Sequence, residues 1–173
     1  MSILKVNQIQ TANGVIMANL NSSGANIGFQ LASTLAPAFG AYPSAGTSTP
    51  NNTQTKILFQ TEEFDTNNNF ASSTFTPTVA GYYQINAAIG PPTFTSGYHF
   101  ASIYKNGSLY KSGQLAYVAS SINGQVVVSS LVYCNGTTDY IEIYWYQNSG
   151  GTLTCQAGGG PSTWFNGAMV RSA

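Results

Sequence analysis

The segment Phe75-Thr76-Pro77-Thr78-Val79-Ala80-Gly81-Tyr82-Tyr83-Gln84-Ile85-Asn86-Ala87 decides the fold. Pro77 has a fixed φ and no N–H to give a ladder, so the chain is still outside a sheet there. Gly81 supplies the backbone freedom that swings it in. Tyr83, Ile85 and Ala87 then alternate with Tyr82, Gln84 and Asn86, the period of a strand with two different faces.

The same pattern continues on both sides. Phe39, Ala41 and Tyr42 read as a first strand, residues 43–52 as a Ser/Gly/Thr/Pro loop, and residues 56–60 as a strand carrying Ile57, Leu58 and Phe59. Beyond the central strand, Pro91 and Pro92 take residues 88–96 out of the sheet. Residues 98–104 alternate again, and Lys105-Asn106-Gly107-Ser108 is the clearest hairpin turn in the chain. Residues 109–115 return, and 116–123 bridge to the run 125–133, apolar enough to be buried on both faces. Asn135-Gly136 turns into residues 140–146, with Ile141, Ile143 and Trp145 on one face and Tyr140, Glu142, Tyr144 and Tyr146 on the other. Gly150-Gly151 leads to a strand over 153–156, and residues 158–161 lead to the last strand. Many short strands between turns, with no convincing helix, predict an all-β sandwich or jelly roll.

Phe59, Asp65, Phe70, Phe75, Gly81 and Tyr83 stand at gaps of five, four, four, five and one residues. This series resembles the signature of the C1q/tumour-necrosis-factor-like (C1q/TNF-like) globular domain. Ser162-Thr163-Trp164-Phe165-Asn166-Gly167-Ala168-Met169-Val170 resembles that family's closing strand. The resemblance covers residues 37–173 and implies a ten-strand jelly-roll sandwich that assembles as a homotrimer. It implies no particular function.

Residues 1–36 form a separate anchor, a hairpin plus linker. Leu4, Val6 and Ile9 precede the turn signal Asn13-Gly14, and Val15, Ile16 and Leu20 follow it, which reads as a hairpin too short to stand alone. Ile27, Leu31 and Leu35 recur at spacing four before Pro37, which suits either one or two helical turns or an irregular linker. Ser2-Ile3-Leu4-Lys5-Val6-Asn7-Gln8-Ile9-Gln10 also resembles the opening of bacteriophage fibre and virion-appendage proteins. That resemblance covers about 14 residues and implies an anchor to other virion proteins.

Of the 173 residues, 43% are hydrophobic, enough for a core, but only 6% are charged, against roughly 25% in ordinary domains. Five Lys plus Arg balance five Asp plus Glu. A neutral surface cannot neutralise phosphates, which argues against nucleic acid as a partner and against a polybasic membrane patch. No apolar run reaches the roughly 20 residues of a bilayer span, so no membrane insertion is expected. The N-terminus lacks the continuous apolar stretch of a signal peptide, so the chain is expected to be made and used inside a cell until released. Cys134 and Cys155 read either as a disulfide or as two reduced thiols. The Asn-x-Ser/Thr triplets at Asn21, Asn51, Asn106 and Asn135 are read as turn chemistry.

No catalytic set is apparent, and no metal or other cofactor is expected. The one histidine, His99, lies among aromatics as a structural residue would, and a triad would have to recruit Asp65 or Asp139. Glu62 and Glu63 point to opposite faces of a strand, which leaves Glu142, Asp65 and Asp139 for paired-carboxylate chemistry. Asp65-x-Asn67-x-Asn69 matches the start of a calcium loop, but Phe70 occupies the glycine position, so a turn is expected. Gly158-Gly159-Gly160 lacks the Lys-Ser/Thr and helix of a phosphate loop.

A non-enzymatic virion structural protein follows as the expectation, located in the virion. In the first form it is a tail-fibre or host-adhesion head, binding a host cell-surface glycan or protein through residues 91–97 and 158–164, with Phe94, Tyr98 and Trp164 as contacts. The second form is a capsid decoration (cement) protein at three-fold positions of the head. The third is a secreted C1q/TNF-like ligand. Tyr140, Tyr144 and Tyr146 put aromatics on the second face of their strand and are expected to line the trimer interface.

Overall fold

A computed structural model describes residues 8–10, 16–19, 36–91, 93, 95–119, 124–158 and 162–173. The chain divides into two compact units, Met1–Leu35 and Ala36–Ala173. In the first, β1 (Gln8–Gln10) pairs antiparallel with β2 (Ile16–Asn19), with Ile9 across from Ala18 and Ile16 across from Gln10. Leu4, Val6, Val15, Leu20, Ile27, Leu31 and Leu35 lie outside the described residues.

The second unit is all-β among the described residues. Its strands are β3 (Ala38–Tyr42), β4 (Ser48–Thr49), β5 (Thr55–Lys56), β6 (Thr61–Asp65), β7 (Phe70–Ala71), β8 (Thr74–Phe75), β9 (Gly81–Ile89), β10 (Gly97–Lys105), β11 (Ser108–Ser112), β12 (Ala116–Val118), β13 (Val126–Cys134), β14 (Ile141–Gln147), β15 (Leu153–Thr154) and β16 (Trp164–Ser172). One sheet runs β13-β9-β16-β3-β6. The other runs β11-β10-β14-β8-β7, with β12 added on β10 and β5 on β14. The short pair β15-β4 stands apart from both.

The aromatic series noted in the sequence is the core between the sheets. Phe39 stacks on Phe70 and Phe75 at 4.9 and 4.3 Å and meets Phe165 edge-on at 4.7 Å. Phe59, Tyr83, Ile85, Ile103, Ile141, Ile143 and Trp145 complete it, all essentially without solvent contact. The acid in the series has a local task. Asp65 Oδ2 accepts from the Phe70 amide at 2.7 Å and Oδ1 from the Asn67 amide at 3.2 Å, so the calcium-like spacing is turn chemistry.

The central strand spans 81–89, and the turn at Asn106-Gly107 is the two-residue hairpin expected, with φ of 53° and 73°. Gly136 has a φ of 74°, and a Cβ there would sit 2.4 Å from the Ala80 amide nitrogen, so this turn admits no side chain.

Several expectations are corrected. Residues 57–60 are not a strand, because the Leu58 and Phe59 amides bond to the side chains of Thr47 and Ser73 instead of a ladder. Residues 116–118 are not a simple bridge but pair with β10. The run 125–133 is not buried on both faces: Val126, Val128 and Val132 face the core, while Val127, Leu131 and Tyr133 are exposed. Cys134 and Cys155 are free buried thiols, the reduced alternative. Burial pushes the Cys134 thiol up to about 11, so it stays protonated and unreactive at neutral pH.

Candidate functional site: two exposed sheet faces

Each sheet turns one face to the core and one outward, and the two outward faces differ in chemistry. On the five-stranded sheet, β9 presents Tyr82, Gln84 and Asn86, and β13 presents Val127, Ser129, Leu131 and Tyr133. Tyr82 is 42% exposed, Val127 45%, Leu131 49% and Tyr133 42%. The Tyr82 and Tyr133 rings touch at 5.4 Å, and Phe64 lies over Gly40 at the far strand. Within this apolar set sits a polar cluster. Gln84 Nε2 donates to Ser129 Oγ (2.9 Å) and Asn86 Oδ1 (3.1 Å), and Asn86 Nδ2 donates to Asn166 Oδ1 (3.1 Å). Neutral groups that satisfy one another can be covered by a partner without a charge-desolvation cost.

On the seven-stranded sheet, the outward residues of β10 and β14 form aromatic stacks. Tyr98 stacks on Tyr146 at 5.6 Å, Tyr146 on Phe100 at 5.1 Å, and Tyr104 on Tyr144 at 3.9 Å. Lys56, the cross-strand partner of Tyr144, pairs through Nζ with Glu142 at 2.6 Å, and the Tyr146 hydroxyl donates to Asn52 Oδ1 at 3.1 Å. Burial and the Glu142 carboxylate raise the Tyr144 phenol above its ordinary value. Tyr140, Tyr144 and Tyr146 thus share one face, half-buried by their own neighbours. Tyr98 belongs to this face, whereas Trp164 pairs across from Ala88 on the other sheet. The two do not meet, and Phe94 lies outside the described residues. Sequence reasoning missed Tyr82, Leu131 and Tyr133. The signal was there in the period-two pattern of residues 126–134, which was overridden by their β-branched content.

His99, Asp139 and Asp65 are structural in placement. His99 is fully buried on β10 and accepts at Nδ1 from Trp145 Nε1 at 3.3 Å. Asp139 is held elsewhere by Asn106 (2.7 Å) and Lys105 (2.9 Å), which keep its carboxyl below the usual range. Asp65 caps its own turn. Among the described residues no three His, Cys, Asp or Glu side chains gather as a metal site. No helix among them is long and apolar enough to cross a membrane.

Burial lowers the His99 pKa to about 4 from about 6.5. The unfolded chain then binds the proton first, so stability is full above about pH 6.5 and is lost as pH falls toward 4. The expected loss between pH 7.5 and pH 5 is about 2 kcal/mol, read by urea unfolding at each pH. His99→Gln is expected to flatten that dependence. An unchanged slope would contradict the assignment.

No protein-family model matches the chain, and no curated protein matches it. Solved structures do. The globular domain of zebrafish complement 1qA superposes with a TM-score of 0.55 at 13% identity, covering 79% of this chain and 98% of that one. Murine APRIL at pH 8.0 superposes with a TM-score of 0.56 at 11% identity, covering 78% and 99%. The fold is therefore the C1q/TNF-like jelly roll. Identities this low carry the fold alone.

Proposed function

We propose that this chain is a non-enzymatic recognition head, a C1q/TNF-like ligand that works as a homotrimer. The carrying observation is the outer face of the five-stranded sheet. Tyr82, Val127, Leu131 and Tyr133 each leave more than two-fifths of their surface open around a self-satisfied amide cluster. A protein that stays single rarely leaves such a contiguous set uncovered. In a three-fold ring each copy lays this face against a different surface of the next copy, and closure of the ring covers it in every copy alike. The tyrosines of β14 are the weaker choice for that role, because Tyr104 and Phe100 already cover part of them. Native mass spectrometry tests the trimer. The expected species is three times 18.3 kDa, about 55 kDa, and a monomer at micromolar concentration would overturn the reading.

A second reading places the same head on a bacteriophage particle, as a tail-fibre adhesin or a capsid decoration protein held by residues 1–36. It is favoured by the opening Leu4-Lys5-Val6-Asn7-Gln8-Ile9 segment and by the antiparallel β1–β2 pair in its own compact unit. Immunogold labelling of intact particles separates the forms. Label at the tail supports the adhesin, label over the head supports the decoration protein, and no label leaves the ligand reading.

A further inference from the structure

We infer that the outer face of the seven-stranded sheet binds an uncharged carbohydrate at its Tyr117–Tyr98 end, which rests on the recognition-head reading and names its ligand. Three observations converge there. Tyr117 on β12 lies directly across from Tyr98 on β10 and is 73% exposed. Every other aromatic of the row, Tyr98, Tyr146, Phe100, Tyr104 and Tyr144, stacks on a neighbour, but among the described residues no ring stacks on Tyr117. Its ring face is open beside a wall of rings. Next, the polar groups at this end are hydroxyls and amides: the Tyr146 phenol donates to Asn52 Oδ1 at 3.1 Å, and Asn148 Oδ1 accepts from the Tyr98 amide at 2.6 Å. Finally, the side chains named at this end, Tyr98, Tyr117, Tyr146 and Asn52, carry no charge, while elsewhere on the sheet Lys56 and Glu142 pair at 2.6 Å and Lys111 lies over the Tyr110 ring. This end therefore complements a neutral ligand and offers a charged one no counter-ion of its own.

A sugar ring meets all three conditions. Its C–H face carries partial positive charge and packs on the negative face of an aromatic ring, while its hydroxyls reach outward to phenols and amides. Tyrosine suits the task because it brings area and a hydroxyl at low conformational cost. A protein partner would need a broader apolar area than the edges of already stacked rings provide.

The test titrates the full chain with cellopentaose, maltopentaose and laminaripentaose, following Tyr117 and Tyr98 resonances by NMR, with sialyllactose as the charged comparison. At least one uncharged oligomer is expected to shift those resonances saturably. Tyr117→Ala is expected to weaken it about 3- to 10-fold, the size of one aromatic contact. Tyr117→Phe should retain most of it, and Val170→Ser, on the other sheet, all of it. Absence of saturable shifts with every uncharged oligomer overturns the inference, as does tighter binding of sialyllactose or affinity indifferent to Tyr117→Ala. A trimer without oligosaccharide binding sinks this inference alone, whereas a monomer sinks the recognition-head reading on which it rests.

Discussion

Trp145→Ala is expected to lower the stability of the head by about 3–5 kcal/mol. Trp145 is the largest side chain with no solvent contact, and it lies on the inner face of β14 between the two sheets. Removing the indole opens a cavity that the paired backbones of β10 and β14 prevent from collapsing. It also leaves His99 Nδ1 without the donor it meets at 3.3 Å. Domains of this kind hold roughly 5–15 kcal/mol in all, so the variant should unfold at much lower urea concentration, or fail to accumulate folded. Trp145→Phe keeps most of the packing and loses the hydrogen bond, for an expected cost of about 1–2 kcal/mol. Equal stability of the alanine variant and the parent chain in denaturant titrations would mean that this core is wrongly assigned.

Leu131→Asp is expected to convert the proposed trimer to a monomer without unfolding it. Leu131 is half exposed in the single chain, so an aspartate there is solvated and the sheet survives. In the proposed trimer the same position is covered in each of three copies. Losing about 1 kcal/mol of apolar burial per copy, roughly half that of a fully buried leucine, and desolvating three carboxylates besides, lowers the association constant by more than about 1,000-fold. Light scattering should give 18.3 kDa with an unchanged circular dichroism spectrum. Tyr144→Ser, on the opposite sheet, should stay trimeric. If Tyr144→Ser dissociates and Leu131→Asp does not, the interface belongs to the β14 tyrosines after all.

Both predictions rest on strand faces, and strand faces were unevenly legible. Residues 140–146 could be read because alternation and chemistry agree: Ile141, Ile143 and Trp145 turn in, and their neighbours carry hydroxyls and a carboxylate. The turn at Asn106-Gly107 could be read because few other residues accept two positive φ values in succession. The run 125–133 misled because valines and a leucine look alike whether a helix, a second copy or water covers the outer face. Residues 57–60 misled for another reason. The Leu58 and Phe59 amides are satisfied by Thr47 and Ser73, 11 and 14 residues away and invisible to any local pattern. The candidate contacts suffered most. Tyr98 and Trp164 flank loops in the sequence, yet the fold assigns them to different sheets, and the open ring at Tyr117 lies in a three-residue strand too short to carry a periodic signal.

The most direct measurement is an electron cryo-microscopy or crystal structure of the assembled protein. A three-fold particle with Tyr82, Leu131 and Tyr133 buried between copies, and Tyr117 open to solvent, is the expected result. A single chain, or a three-fold contact made through Tyr144 and Tyr146 with the five-stranded face left in water, would contradict it.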